Sequence, residues 1–238
     1  MIRWMEGLQP WDIFSARVWA AWRSYDDGLF WVQEDAKAAI SLVDGFGMLS
    51  AKEDADWEEL LAFLQMQPWA RLQCAADIAR RLPFAPEWTS TLMRFAAPKR
   101  SLPDPCTLTP ASCMDVGEVY DLLARCGFEE IRQRMPWMAD MALRWRRGTA
   151  RSWRMGGVST ASATAIAEGF CFLGAVGTVP EARGKGFAGQ LVTFIALQQQ
   201  AMGREVWLSC GEGLAGFYES IGFARAGEMV TMQKEGGV

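Results

Sequence analysis

Residues 177–192 read Gly-Thr-Val-Pro-Glu-Ala-Arg-Gly-Lys-Gly-Phe-Ala-Gly-Gln-Leu-Val, and no other stretch limits the fold as much. A strand ends at Val179 and a helix opens at about Phe187, among Gly184, Gly186 and Gly189. A glycine-rich helix start leaves several backbone N–H groups unpaired beside the positive end of the helix dipole. Glycines let an anionic group approach the backbone closely, and Arg183 and Lys185 add charge. The segment is an anion cradle.

Residues 184–189 spell G-x-G-x-x-G, which raises a dinucleotide reading. That fingerprint opens a parallel βαβ unit and wants an acidic residue at the end of the next strand. Here the preceding strands read as an antiparallel meander, and Glu205 stands at the start of the next strand. A nucleotide P-loop fits no better, because Gly186 follows Gly184-Lys185 where Ser or Thr is required.

The rest of the chain is punctuated by residues 98–112, a linker holding Pro98, Pro103, Pro105 and Pro110. Upstream, residues 29–32, 40–43 and 48–51 read as strands, the last two turning at Asp44-Gly45. Asp56 and Glu59 cap a helix whose stripe is Trp57, Leu60, Leu61 and Leu64. Residues 70–74 and 89–95 alternate as strands, with helix over 75–82 between them. Downstream, Asp115 and Glu118 cap a helix with the stripe Val116, Val119, Tyr120 and Leu123, ended by Gly127. Helix follows over 138–147, then strands over 152–155, 159–167 and 171–179. A helix over 187–201, a strand over 205–209, a helix over 215–221 and a strand over 229–233 complete the order. The fold class is α+β, in two units with the same element order.

Composition narrows the chemistry. The 238 residues contain no histidine, so imidazole triads, imidazole metal ligands and imidazole proton shuttles are absent. Net charge is −4, with no basic lobe, so no nucleic-acid partner is expected. The six cysteines show no Cys-x-x-Cys spacing and no metal-ligand pattern, which suits a reducing cytoplasm and no bound metal. Neither a signal-peptide core nor a membrane-length apolar run is seen, so no membrane partner is expected. Most of the twelve tryptophans belong in the core.

The pattern Arg183-x-x-Gly186-x-Ala188, after a strand and Val179-Pro180, resembles the pyrophosphate loop of the GNAT superfamily of N-acyltransferases. Downstream, Gly216-Phe217-Tyr218-Glu219-Ser220-Ile221-Gly222-Phe223 is similar to that superfamily's Phe-Tyr helix with its closing Gly-Phe. Two motifs in order make the resemblance specific over about residues 115–234. It implies a GNAT fold, with a mixed, mostly antiparallel sheet flanked by helices and two related domains. Residues 1–97 would be a degenerate copy covering one side of the cleft, and residues 113–238 the catalytic domain.

The resemblance also implies acetyl transfer from acetyl-CoA to a primary amine by direct attack, with no metal. Pantetheine would pair with the backbone of Gly177, Thr178 and Val179, in a gap between that strand and the one over 205–209. The diphosphate would sit on Arg183, Gly184, Lys185, Gly186, Phe187, Ala188 and Gly189. A main-chain N–H near a strand bulge would hold the thioester oxygen. Tyr218 falls at the position of the general acid for the leaving thiolate. Gly211 departs from the family, which often has Asn there to orient the cofactor. The acceptor is a small-molecule or peptide amine, and a homodimer stays open.

Glu168, Glu212 and water are candidates for the amine's proton, although either carboxylate also reads as a surface charge. Cys210 reads as an inert thiol, lacking a histidine to activate it. Arg144, Arg146, Arg147, Arg151 and Arg154 read as a solvated cationic face, with an anion site as the sharper alternative. The competing class is a coenzyme A sensor without turnover, which would need the loop but not Tyr218.

Overall fold

The computed structural model describes residues 1–99, 110–128 and 133–234, so most of the expected linker lies outside the described residues. Twelve strands form one sheet, in the order β1-β2-β3-β4-β5-β12-β6-β11-β10-β9-β8-β7. The first half contributes β1 (Ile2–Trp4), β2 (Leu29–Gln33), β3 (Ala38–Val43), β4 (Phe46–Ala51), β5 (Arg71–Ala75) and β6 (Ala85–Phe95). The second contributes β7 (Pro110–Ser112), β8 (Arg151–Met155), β9 (Ser159–Ala167), β10 (Phe170–Thr178), β11 (Glu205–Cys210) and β12 (Phe223–Gln233). In both halves the first four strands form an antiparallel meander, followed by one parallel neighbour, β4–β5 and β10–β11.

The closing strands are exchanged between the halves. β12 pairs with β5, and β6 pairs with β11, while β6 and β12 pair with each other along most of their length. The division at residues 98–112 thus separates two similar runs of elements along the chain, whereas the sheet runs through both without a break.

Helices cover both faces. α1 (Ile13–Ser24) opens on a capping box in which the Asp12 side chain accepts from the Ser15 N–H, and Ser15 returns the contact. It packs against β3 and β4 on one side and β9 and β10 on the other. Ile13, Phe14, Ala16, Val18 and Ala20 are all buried, because a helix lodged between two halves has little solvent face.

α2 (Trp57–Met66) starts where the cap was expected, with Asp56 accepting from the Glu59 N–H. α3 (Ala76–Ala79) is a single turn, shorter than expected. α4 (Val116–Cys126) ends on Gly127 at φ 88°, and α5 (Arg134–Arg146) begins four residues earlier than its pattern suggested. α6 (Phe187–Ala201) has the bounds read from the sequence, and α7 (Glu212–Ser220) follows β11.

The largest core cluster lies beneath α6 and α7, where Cys171, Leu173, Val206 and Leu208 meet Leu191, Ile195, Ala215 and Tyr218. On the opposite face, Phe172 and Ala165 pack with Ile13, Phe14, Leu92 and Met229 beneath α1. Among the described residues no helix is long and apolar enough to cross a membrane, and no group of three or more Cys, Asp or Glu is gathered to hold a metal. The five described cysteines are buried and free.

Candidate functional site

Strands β10 and β11 pair in parallel from Phe170–Glu205 to Leu173–Leu208 and then part. Beyond that point β11 leans on β6, and β10 stays with β9 across a register shift between Gly174 and Gly177. Ala175 and Val176 have no partner in β9 there, and Ala175 adopts φ 51°. This bulge turns backbone groups out of the ladder just where the two strands diverge.

A cavity of about 660 Å³ lies beside the end of β10, next to this fork. Its walls are the end of β10, the loop into α6, the first turns of α6, and one side of α7. Leu214 and Phe217 face it while 55% and 37% exposed, an apolar lining left open to solvent.

The glycine loop has the geometry its sequence called for. Gly184 and Gly186 take φ 76° and 82°, and Gly186 is the N-cap of α6 without any side-chain cap. From Gly184 to Gly189 no backbone N–H donates to a protein acceptor among the described residues; the first to do so is that of Gln190, to the Gly186 carbonyl. A row of free N–H groups at the start of a fifteen-residue helix favours an anion. A side chain at Gly186 would project into open space, its nearest neighbour being the Gln190 amide at 3.8 Å.

The two loop cations do more bracing than expected. Arg183 donates from Nε to the Thr178 carbonyl at 3.1 Å and from Nη2 to the Cys126 carbonyl at 2.9 Å. It fastens the loop to the ends of β10 and α4. Lys185 donates to the Glu181 carbonyl at 3.2 Å and does not line the cavity, whereas Arg183 does. Gly177, Thr178, Gly184, Gly186, Phe187, Ala188 and Gly189 all line it. Val179 does not: its side chain is buried with Leu122, Cys126 and Ala182, its N–H donates to Val158, and its carbonyl accepts from Ala182.

Tyr218 reaches the cavity from α7. Its ring packs against Phe217 at 4.9 Å and Phe223 at 5.7 Å and is 6% exposed. Burial, and secondarily the Cys210 thiol, push its pKa well above the usual tyrosine range. The hydroxyl is therefore a proton-bearing donor at neutral pH, and no hydrogen bond from it to another described residue is formed.

Cys210 lies close by, its thiol also pushed up by burial and then by Glu212. It contacts the Met93 sulfur at 3.7 Å and stays a neutral thiol.

Glu212, at the N-terminus of α7, is bound by Arg225 through two contacts of 2.8 and 2.6 Å and by Thr91 at 2.8 Å. Those partners, Arg225 first, hold its carboxyl down to about 2, which makes it a poor base. Glu168 sits in the β9–β10 turn, at the end of β10 remote from the fork.

Four of the five clustered arginines are engaged elsewhere, and Arg146 is exposed. Arg147 pairs with Asp26 at 2.6 Å, Arg154 with Glu118 at 3.4 Å, Arg144 with Asp140 at 3.5 Å, and Arg151 donates to Ser112 at 3.2 Å. The resemblance implies a strand bulge, but its place at Ala175 and Val176 is not legible in the sequence, because a positive φ at alanine leaves no mark in the residue string.

No protein-family model and no curated protein match the sequence. Solved structures do match its fold. A GCN5-related N-acetyltransferase from Kribbella flavida is 20% identical with a TM-score of 0.58, over 84% of this chain and 88% of the other. A GNAT-family acetyltransferase from Colwellia psychrerythraea is 12% identical at TM-score 0.59, over 99% and 100%. A tandem GNAT protein from the clavulanic acid biosynthesis pathway is 11% identical at 0.58, over 92% and 87%. The chain has the GNAT fold, with a mixed sheet flanked by helices and its element order given twice.

Proposed function

We propose that this chain is an acyl-CoA-dependent N-acetyltransferase that moves an acetyl group from acetyl-CoA to a primary amine. One observation carries the reading: a cavity beside the end of β10, where β11 leaves it, has free N–H groups of a helix start along one wall and Tyr218, whose hydroxyl has no partner among the described residues, on another. The free N–H groups of residues 184–189 suit a diphosphate. The bulged backbone of Ala175 and Val176 suits an extended chain of amides and a thioester oxygen.

The amine nitrogen bonds to the acetyl carbon as the carbon–sulfur bond breaks. Tyr218 donates its proton to the departing sulfur and recovers one from solvent. Water takes the amine's proton, since Arg225 holds Glu212 ionised and weakly basic. No protein nucleophile is used, in keeping with a neutral Cys210 and the absence of histidine.

The test is calorimetric titration of coenzyme A into wild type and Gly186→Val. The variant forces a β-branched residue to φ 82° and so strains the loop conformation that presents the free N–H groups. Affinity is expected to drop by about a hundredfold, the scale set by losing two or more charge-assisted hydrogen bonds. Unchanged affinity in the folded variant would remove the loop from the site. A sensor would bind coenzyme A and release no thiol from acetyl-CoA with any amine.

A further inference from the structure

Arg17, midway along α1, is a cation that forms no ion pair among the described residues. Its guanidinium carbon lies 4.3 Å from the centroid of the Phe172 ring, and Nη1 donates to the Met229 sulfur at 3.0 Å. The charge that bears on it is another cation. Burial, and then Arg144 from α5, push Arg17 down to about 9. Asp140 is the acidic neighbour on α5, and it is already committed to Arg144 and to the Tyr25 hydroxyl. Arg144 also donates to the Thr164 carbonyl on β9. Two guanidinium groups and one carboxylate leave an excess of positive charge beneath α1. Such an arrangement is costly in a partly desolvated place unless an anion completes it.

Its position gives the excess a use. Phe172 belongs to β10 and Met229 to β12, with β11 and β6 between them in the sheet. A guanidinium that touches both lies over the middle of the sheet, behind the Leu173–Leu208 pair at which β10 and β11 part. Phe172 faces α1, whereas Leu173 and Leu208 face α6 and α7, the side on which the glycine-loop cavity opens. An acceptor held at Arg17 would reach a thioester held from the α6 side where β10 and β11 are no longer paired. Met229 occupies Nη1, which leaves the Nε–Nη2 edge, a match for the two oxygens of a carboxylate.

We propose that Arg17, with Arg144 behind it, binds a carboxylate of the acceptor, so the substrate is an amine that also carries a carboxylate, as an amino acid does. The proposal rests on the acyl-transfer reading of the fork.

Product-like probes test it on the full chain: N-acetylglycine, N-acetylleucine and N-acetylphenylalanine, each titrated against its carboxamide by calorimetry. At least one acid should bind about tenfold or more tightly than its carboxamide. In Arg17→Gln that advantage should vanish while carboxamide affinity is kept, and Arg17→Lys should recover part of it. Equal binding of acid and carboxamide in every pair, no binding by any acid, or a preference that survives Arg17→Gln would each overturn the proposal. The wild-type comparison decides even where a variant does not fold. Coenzyme A is titrated separately on the same samples. Its binding without acid preference sinks this inference alone, and acid preference without coenzyme A binding sinks the acyl-transfer reading.

Discussion

Replacing Tyr218 by Phe separates catalysis from packing unusually well, because the hydroxyl bonds to no described residue while the ring contacts Phe217 and Phe223. A buried tyrosine that loses a real hydrogen bond costs about 1 kcal/mol. Here no such bond is lost, so the urea midpoint should move by less than about 0.5 kcal/mol. Coenzyme A affinity should be equally indifferent, since the loop N–H groups lie on another wall of the cavity.

Turnover is a different matter. A general acid supplies about a hundredfold or more, which is about 2.7 kcal/mol at 1.36 kcal/mol per decade. The loss should fall on kcat, with KM for acetyl-CoA nearly unchanged. The assay is thiol release from acetyl-CoA with an accepted amine, run across pH. Since burial holds the Tyr218 pKa above its ordinary 10.0, wild type should show no falling limb from this group below that value. Equal kcat for the two proteins, or a limb near pH 10 that disappears in the variant, would refute the reasoning.

Each chain should bind one coenzyme A: the loop before α2 carries Glu53, Asp54 and Asp56, and Asp56 already caps that helix. Native mass spectrometry showing two would count against it. Gly222→Ala should cost about 3 kcal/mol or more, because φ is 111° and a Cβ would stand 2.0 Å from the Ala97 carbonyl oxygen; a shift in urea midpoint worth under about 1 kcal/mol would contradict this. Glu212 has a folded pKa of about 2 against an ordinary 4.5. Its contribution to stability is therefore full above pH 4.5 and fades as pH falls toward 2. Thermal melts should fall more steeply over that window in wild type than in Glu212→Gln, and parallel curves would argue otherwise.

Local signals in this sequence are legible, and non-local ones are not. The start of α6 was legible because Gly184 and Gly186 need φ values that other residues avoid. α1 left no such trace. Buried against both halves, it lacks the polar face that makes a period of 3.6 visible. The first half of β12 was missed because Ala224–Glu228 are exposed, with Gly227 at φ 129° interrupting the alternation. The charges of Arg183 and Lys185 were visible, but their acceptors, the carbonyls of Thr178, Cys126 and Glu181, are backbone groups placed by the fold.

The exchange of β6 and β12 was illegible for a deeper reason. Each strand has the pattern of a closing strand, and nothing in its own residues says which sheet it closes. That exchange bears on why a half without a glycine loop belongs to the site. β6 is the neighbour of β11, so the first half supplies the strand against which β11 leans as it leaves β10. Thr91 of β6 and Arg225 of β12 together hold Glu212 at the start of α7, and α7 carries Tyr218. α1 covers the sheet behind the fork and brings Arg17 there. Cutting the chain between the halves would leave β11 without β6 and α7 without Thr91. The first half thus shapes the fork and its far side, while the second supplies the loop and the tyrosine.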